Sequence, residues 1–258
     1  MQIWQLASLV FFGYVAVVAA LSRRLRPVQR ARTLAGTALG AAVIGLSRLL
    51  PGEGAANVWV LPPAALLIGY WTSGLLFVAP MPVAERMLAA MDGRLRVREV
   101  AALMPRPLVE LLEFAYAGVY PLIPLALYLA RGQGIDANRF WSTILLTDYI
   151  CFAMLPWFQT RPPRAVGLDA SWRSSWRTVN LRMLAAGSVQ VNTFPSGHAA
   201  EALACALLLS GGPPLLAGSM FVVAAAIAAG TVFGRYHYAA DAIAGWAVAL
   251  IVWGSLRI

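Results

Sequence analysis

The chain has no lysine, only two cysteines and two histidines, and only 12% charged residues among its 258 positions. Hydrophobic residues make up 60% of it, well above the roughly 45–50% of a soluble domain. This balance excludes an ordinary soluble globular protein. It predicts an integral membrane protein of a bacterial inner (plasma) membrane, surrounded by membrane lipids and with no nucleic-acid partner.

All 20 cationic side chains are arginine, and the net charge is +9. A guanidinium never deprotonates and binds phosphate through a planar fork, so the bias suits a phosphate ligand. A GC-rich genome would produce the same replacement of lysine. Cys151 and Cys205 lie inside apolar runs, where a thiol is usually a small core residue, and they do not indicate a redox compartment.

Hydrophobic segments long enough to cross a bilayer recur along the chain. A helical span needs about 20 mostly apolar residues, and lipid offers the backbone no hydrogen-bond partner other than its own helix. The second and sixth segments are weak, so we predict an all-α, polytopic transmembrane bundle with seven or eight spans. The segments are approximately 3–21, 33–50, 56–79, 108–130, 140–158, 197–211, 214–233 and 238–256.

We expect residues 1–55 to form N-terminal anchoring spans and residues 56–258 to form the catalytic membrane domain. With eight spans, the loops at 22–32, 80–107 and 159–196 share one face with the turn before His237. Sixteen of the 20 arginines then lie on that face, which the positive-inside rule assigns to the cytoplasm. The other four are Arg48, Arg131, Arg139 and Arg257.

The sequence "RPPR" follows the fifth segment directly. Two prolines stop the helix and hold Arg161 and Arg164 in a rigid stretch near the membrane surface. Paired arginines of this kind bind a phosphate through bidentate hydrogen bonds. The alternative is that they are ordinary interfacial anchors.

The sequence "PSGH" precedes the sixth segment. Ser196 is a good N-cap, and we expect the backbone N–H groups of Ser196, Gly197 and His198 to be free at a helix N-terminus that suits an anion. His198 could donate a proton to a leaving oxygen there. Glu201 follows on the same helical face and is expected to pair with His198 or with an arginine.

The sequence "GRYHYAAD" places Asp241 four residues after His237, within reach on one helical face. The carboxylate can hold one ring nitrogen and leave the other free to attack, and Arg235 is expected beside the same anion. Two histidines and an aspartate could instead bind Zn²⁺. The other acids in the segments, Glu110, Glu113 and Asp148, also need partners, because an isolated carboxylate in lipid is costly.

Taken in order, "RPPR", "PSGH" and "GRYHYAAD" resemble the three motifs of the type 2 phosphatidic acid phosphatase (PAP2) superfamily of membrane lipid phosphatases, over roughly residues 56–256. The resemblance implies a six-helix core and a phosphohistidine intermediate without metal or other cofactor. It implies His237 as nucleophile, Asp241 as its orienting group and His198 as the acid. The phosphate ligands would be Arg161, Arg164, Arg235, Ser196 and Gly197.

Two positions depart from the motifs of that family. Met154 stands where the first motif has a lysine, and Thr231 stands where the third motif has its arginine. Arg164 and Arg235 are the available replacements, which makes this a variant of the third motif. In most relatives the site faces away from the cytoplasm, so the resemblance and the arginine distribution predict opposite orientations.

The predicted function is hydrolysis of a lipid phosphate monoester or diphosphate at the membrane surface. The same site could transfer a phosphoryl or phospho-headgroup to an alcohol, since both reactions use one phosphoenzyme. A transporter or metal-binding membrane protein, with the histidines as proton relay or ligands, is the rival from another class. The sequence does not identify the lipid or the oligomeric state.

Overall fold

The computed structural model describes residues 1–170 and 172–256, so Arg257 lies outside the described part. The described residues form an all-helical fold without β-strands; Thr160 and Asn192 make an isolated bridge. The helices are α1 (Ile3–Leu21), α2 (Pro27–Arg48), α3 (Ala55–Trp59), α4 (Leu61–Gly74), α5 (Pro82–Arg94), α6 (Val97–Ala102), α7 (Arg106–Ala117), α8 (Val119–Gly132), α9 (Ala137–Ala153), α10 (Ser175–Gly187), α11 (Gly197–Leu208), α12 (Pro214–Phe233) and α13 (Ala239–Ser255).

Local sequence explains where most helices begin. Proline stands in the first turn of α2, α4, α5, α7 and α12, where its missing N–H would have no helical partner anyway. Side-chain oxygens of Asp136, Ser174 and Ser196 cap the N-termini of α9, α10 and α11. The motifs PSGH and GRYHYAAD therefore lie at helix ends, whereas RPPR begins eight residues after α9 ends at Ala153.

All eight predicted segments are helical for most of their length, but few meet the criteria for a span. Among the described residues, α1 and α12 are long and apolar enough to cross a membrane, which is compatible with a membrane protein. The pair α7 and α8 meets the criteria only if counted together, and it bends by 63°. The count of seven or eight spans, and the orientation derived from it, therefore stay predictions.

Helix α11 lies at the centre of the fold and packs against α8, α9, α12 and α13. Its small residues are buried on every side, including Ala200, Ala204 and Cys205. Gly245 of α13 allows the closest approach, since a Cβ there would lie only 2.5 Å from the Ser196 carbonyl oxygen. This approach brings the start of α13 beside the start of α11.

The first two helices pack on this core. Helix α1 contacts α2 and α9, and α2 contacts α4. Phe11 stacks on Tyr149 of α9 with ring centroids 4.2 Å apart, and Ser8 shares a hydrogen bond with the Tyr149 hydroxyl. The predicted division of the chain at residue 55 stays a prediction.

Candidate active site

The end of α12 sets the position of His237. The N–H of Tyr236 donates to the Thr231 carbonyl (3.0 Å) and the N–H of Arg235 to the Val232 carbonyl (3.1 Å), with Arg235 in the left-handed region at φ 61°. This is the Schellman arrangement, in which glycine usually takes the left-handed position. The N–H of His237 also donates to Thr231 (2.9 Å). Thr231 thus holds the turn through its carbonyl oxygen.

A buried ion pair fixes this turn against α5. The Arg235 Nη1 donates to Asp92 Oδ2 at 2.7 Å, and its Nε donates to the Leu168 carbonyl at 2.9 Å. The other oxygen of Asp92 accepts the N–H of Ala239 (2.9 Å), the first residue of α13. Because Asp92 holds both sides of His237, it positions the imidazole.

The predicted contact between His237 and Asp241 is present in the structure. Nδ1 of His237 lies 3.3 Å from Asp241 Oδ2, although α13 begins two residues after the histidine. The same carboxylate oxygen accepts the N–H of Tyr238 at 2.9 Å, which caps α13. With Nδ1 engaged, Nε2 is the nitrogen of His237 available to a ligand.

The start of α11 differs from the prediction in one detail. The N–H of Ser196 is not free, because it donates to the Asp241 carbonyl at 2.9 Å. The Ser196 hydroxyl accepts from the N–H of Ala199 (3.4 Å), and the residue is fully buried. Ser196 therefore joins the two helices and keeps neither its N–H nor an exposed hydroxyl for phosphate.

The two imidazoles lie close together although 39 positions separate them in the sequence. The ring centroids of His198 and His237 are 6.0 Å apart, which lets both rings contact one phosphoryl group. Tyr116 and Tyr120 flank His198 with centroids 5.4 and 5.9 Å away. Aromatic surfaces thus surround the predicted acid.

The two arginines of "RPPR" have different surroundings. A short 3₁₀ turn, Pro163–Val166, places Arg164 with its guanidinium 5.6 Å from the ring centre of Tyr236, and Arg164 lines the same cavity as both histidines. Arg161 instead forms a bidentate ion pair with Glu85 at 2.9 and 2.8 Å. That contact holds the pKa of the Glu85 carboxyl below its ordinary value.

The structure places Arg161 and Arg235, both predicted to contact phosphate, away from the cavity that the histidines line. Both guanidiniums are engaged by carboxylates, and neither lines the cavity that holds the histidines. Arg164 is the arginine that the fold brings to His198 and His237. Gly197 also lines the cavity, beside His198.

Sequence reasoning missed a buried network behind the site, centred on Glu113. Its carboxylate accepts from Arg177 (3.0 Å), Asn180 (2.9 Å), Trp172 (2.9 Å) and the Tyr236 hydroxyl (2.6 Å). Arg177 also donates to the Gly234 carbonyl at 2.8 Å. This network fixes α7, α10 and the His237 turn together. The signal in the sequence was Glu113 itself, because a carboxylate in an apolar segment needs partners.

The histidines open into a cavity of about 530 Å³ between α4, α8, α9 and α11. Arg164, His198 and His237 all line it, and much of the remaining lining is apolar, including Leu66, Leu127 and Trp141. Within the described ranges, no group of three or more His, Cys, Asp or Glu side chains is arranged to hold a metal ion.

Two imidazoles and an arginine thus line one largely apolar cavity in an all-helical fold. The sequence matches the family model described as the PAP2 superfamily over residues 86–255, about two thirds of the chain, and the protein belongs to that superfamily. Membership suggests phosphatase-type activity. No curated protein and no solved structure matches the chain.

Proposed function

We propose that the protein is an integral membrane enzyme that hydrolyses the phosphate ester or diphosphate of a lipid through a phosphohistidine at His237. The observation that carries this proposal is the pair of imidazoles, 6.0 Å apart, in the wall of a largely apolar cavity. A phosphoryl group would lie beside the imidazoles, and the apolar side chains of the lining would contact a lipid tail.

The proposed first step is attack by Nε2 of His237 on phosphorus. The P–N bond forms as the P–O bond to the lipid alcohol breaks, and His198 gives its proton to the leaving oxygen. Arg164 balances the negative charge on the phosphoryl oxygens, which is where electrostatic catalysis acts. Asp241 holds Nδ1 and stabilises the positive charge that develops on the ring.

In the second step water attacks the phosphohistidine. His198 takes a proton from that water, the P–N bond breaks, and inorganic phosphate leaves with His237 restored. An alcohol in place of water would receive the phosphoryl group through the same intermediate. Product analysis with and without an added acceptor lipid distinguishes hydrolysis from transfer.

The exterior of the helices supports a membrane location. Val10, Val222 and Ile251 are 64%, 69% and 66% exposed on α1, α12 and α13. Apolar side chains turned outward on long apolar helices fit contact with lipid tails. A substrate with its tail in the bilayer could reach the site without leaving the membrane.

The purified protein in detergent micelles should release phosphate from lipid esters such as phosphatidate or a sphingoid phosphate. We expect kcat/KM for the best lipid to exceed that for glycerol 3-phosphate by about two orders of magnitude or more, because tail burial stabilises binding. Labelled phosphate release measures both rates. Equal rates for the lipid and the soluble ester would contradict the lipid proposal, and release from neither would contradict phosphatase activity.

The two arginines of "RPPR" provide a matched comparison. We expect Arg164→Ala to lower kcat/KM by about 10²- to 10³-fold, because a preorganised charge at the phosphoryl group is lost. Arg161→Ala should lower it by less than about tenfold, since this arginine pairs with Glu85 outside the cavity. Unfolding temperatures of both variants show whether stability contributes. Equal losses of kcat/KM in the two variants, at similar unfolding temperatures, would mean that Arg161 also contacts the phosphoryl group.

A further inference from the structure

One carboxyl group in the cavity has no hydrogen-bond partner among the described residues. Asp148 of α9 is 1% exposed, lines the cavity, and has neither oxygen hydrogen-bonded within the part of the chain that the structure describes. A buried polar group without a hydrogen bond is costly, and an ionised one more so. The sequence predicts a partner for Asp148, and the protein itself supplies none among those residues.

A second carboxyl group lies beside it. Glu201 of α11 lines the same cavity, interacts electrostatically with Asp148, and forms no hydrogen bond with the described residues. Gly197 shows how close α9 comes to the start of α11, because a Cβ at that position would lie 3.2 Å from Asp148 Oδ1. The two acids thus form one acceptor-rich patch in the cavity wall.

The position of this patch relative to His198 is set by helix geometry. Glu201 follows His198 by three residues, a rise of about 4.5 Å along α11. Further along the cavity the lining becomes apolar. Leu127 lies roughly 10 Å along α8 from Tyr120, which contacts His198, and Trp141 lies roughly 10 Å along α9 from Asp148. The patch therefore lies beside the start of α11, close to His198.

We propose that Asp148 and Glu201 form a subsite for a hydrogen-bond donor of the lipid substrate, a hydroxyl or an ammonium carried near the phosphate ester. This inference rests on the proposed function. A donor at that place would give Asp148 the hydrogen bond that the described residues do not supply. The substrates of this chemistry are single-chain phosphates with a free hydroxyl or amine, such as a sphingoid phosphate or lysophosphatidate. Plain alkyl or polyprenyl phosphates lack the donor.

The test compares three lipids of one chain length in detergent micelles: sphinganine 1-phosphate, lysophosphatidate and octadecyl phosphate. The wild-type protein should show kcat/KM about 10- to 100-fold higher for the two donor-bearing lipids, since octadecyl phosphate leaves buried acceptors unpaired. In the double variant Asp148→Leu with Glu201→Leu, the ratio between donor-bearing and plain lipids should fall toward one.

A second double variant keeps the shape of the cavity. Asp148→Asn with Glu201→Gln retains oxygen acceptors but removes the charge, so the preference for the ammonium lipid should fall more than that for lysophosphatidate. Hydrolysis of all three lipids at similar kcat/KM by the wild-type protein would overturn the subsite and leave the proposed function intact. A second result would also overturn the subsite: the protein transfers phosphate to added glycerol, this transfer requires Asp148 and Glu201, and the three lipids react equally well. The two acids would then bind the acceptor alcohol and not the lipid. If no lipid phosphate is hydrolysed, the proposed function itself fails.

Discussion

His237→Ala should lower the rate of phosphate release from a lipid phosphate by about four orders of magnitude or more. The variant lacks the nitrogen that forms the P–N bond, and no second nucleophile is placed to take over, because His198 belongs to the acid side of the reaction. Losses of this size are typical when a covalent nucleophile is removed. Labelled phosphate release at saturating lipid measures the effect.

The two-histidine composition makes the chemical test of this prediction unusually direct. Rapid quenching under alkaline conditions, which preserve phosphohistidine, should leave label on the wild-type protein and none on His237→Ala. In His198→Ala, His237 is the sole remaining imidazole, so phosphohistidine in that variant identifies the residue without peptide mapping. Arg98→Ala is a suitable control, because Arg98 is exposed on α6 and outside the site.

Two results would contradict the nucleophile assignment. One is substantial lipid phosphate release by His237→Ala with an unchanged unfolding temperature. The other is label that persists on that variant at a different side chain. If His237→Ala loses both activity and folded protein, Asp241→Asn provides the test. This variant keeps His237 and should slow its attack on phosphorus, because the imidazole is less well oriented.

The sequence was sufficient to predict the residues whose roles depend on neighbours in the chain. His237 and Asp241 are four positions apart, so a helix over both residues predicts their contact. The structure has it at 3.3 Å, although the helix begins only at Ala239 and Asp241 reaches back past the N-cap residue. The helix starts at α11 and α13 also follow from local capping signals. The order of the three motifs carried the family assignment, which the match over residues 86–255 confirms.

The ion-pair partners of Arg161 and Arg235 could not be predicted in the same way, because each partner is a carboxylate far away in the chain. Arg161 pairs with Glu85, 76 positions earlier, and Arg235 pairs with Asp92, 143 positions earlier. Both acids lie in the stretch 80–107, which the sequence predicts to be a loop between two spans. The packing of α5 against α13 removes Asp92 from solvent.

Asp148 shows the opposite case. Its need for a partner was evident from its place in an apolar segment, yet none of the described residues supplies one. Buried polar groups are usually hydrogen-bonded within the protein. A buried carboxyl group in a binding cavity departs from that rule where its partner is a ligand.

His198→Ala should have an effect that depends on the leaving group. For a lipid phosphate the leaving alkoxide needs a proton, so we expect the rate to fall by about 10²- to 10⁴-fold. For p-nitrophenyl phosphate the leaving phenolate is stable without a proton, and the first step should be nearly as fast as in the wild-type protein. His237→Ala should lose activity toward both substrates, which separates the acid from the nucleophile.

The same variant should also reveal the second step. Without His198 to take a proton from water, the phosphohistidine formed from p-nitrophenyl phosphate should accumulate, giving a burst of about one p-nitrophenolate per site followed by slow turnover. Stopped-flow absorbance measures the burst. Equal losses toward the lipid and the nitrophenyl ester, with no burst, would mean that His198 organises the site and transfers no proton. The 6.0 Å between the two rings would then reflect packing against Tyr116 and Tyr120.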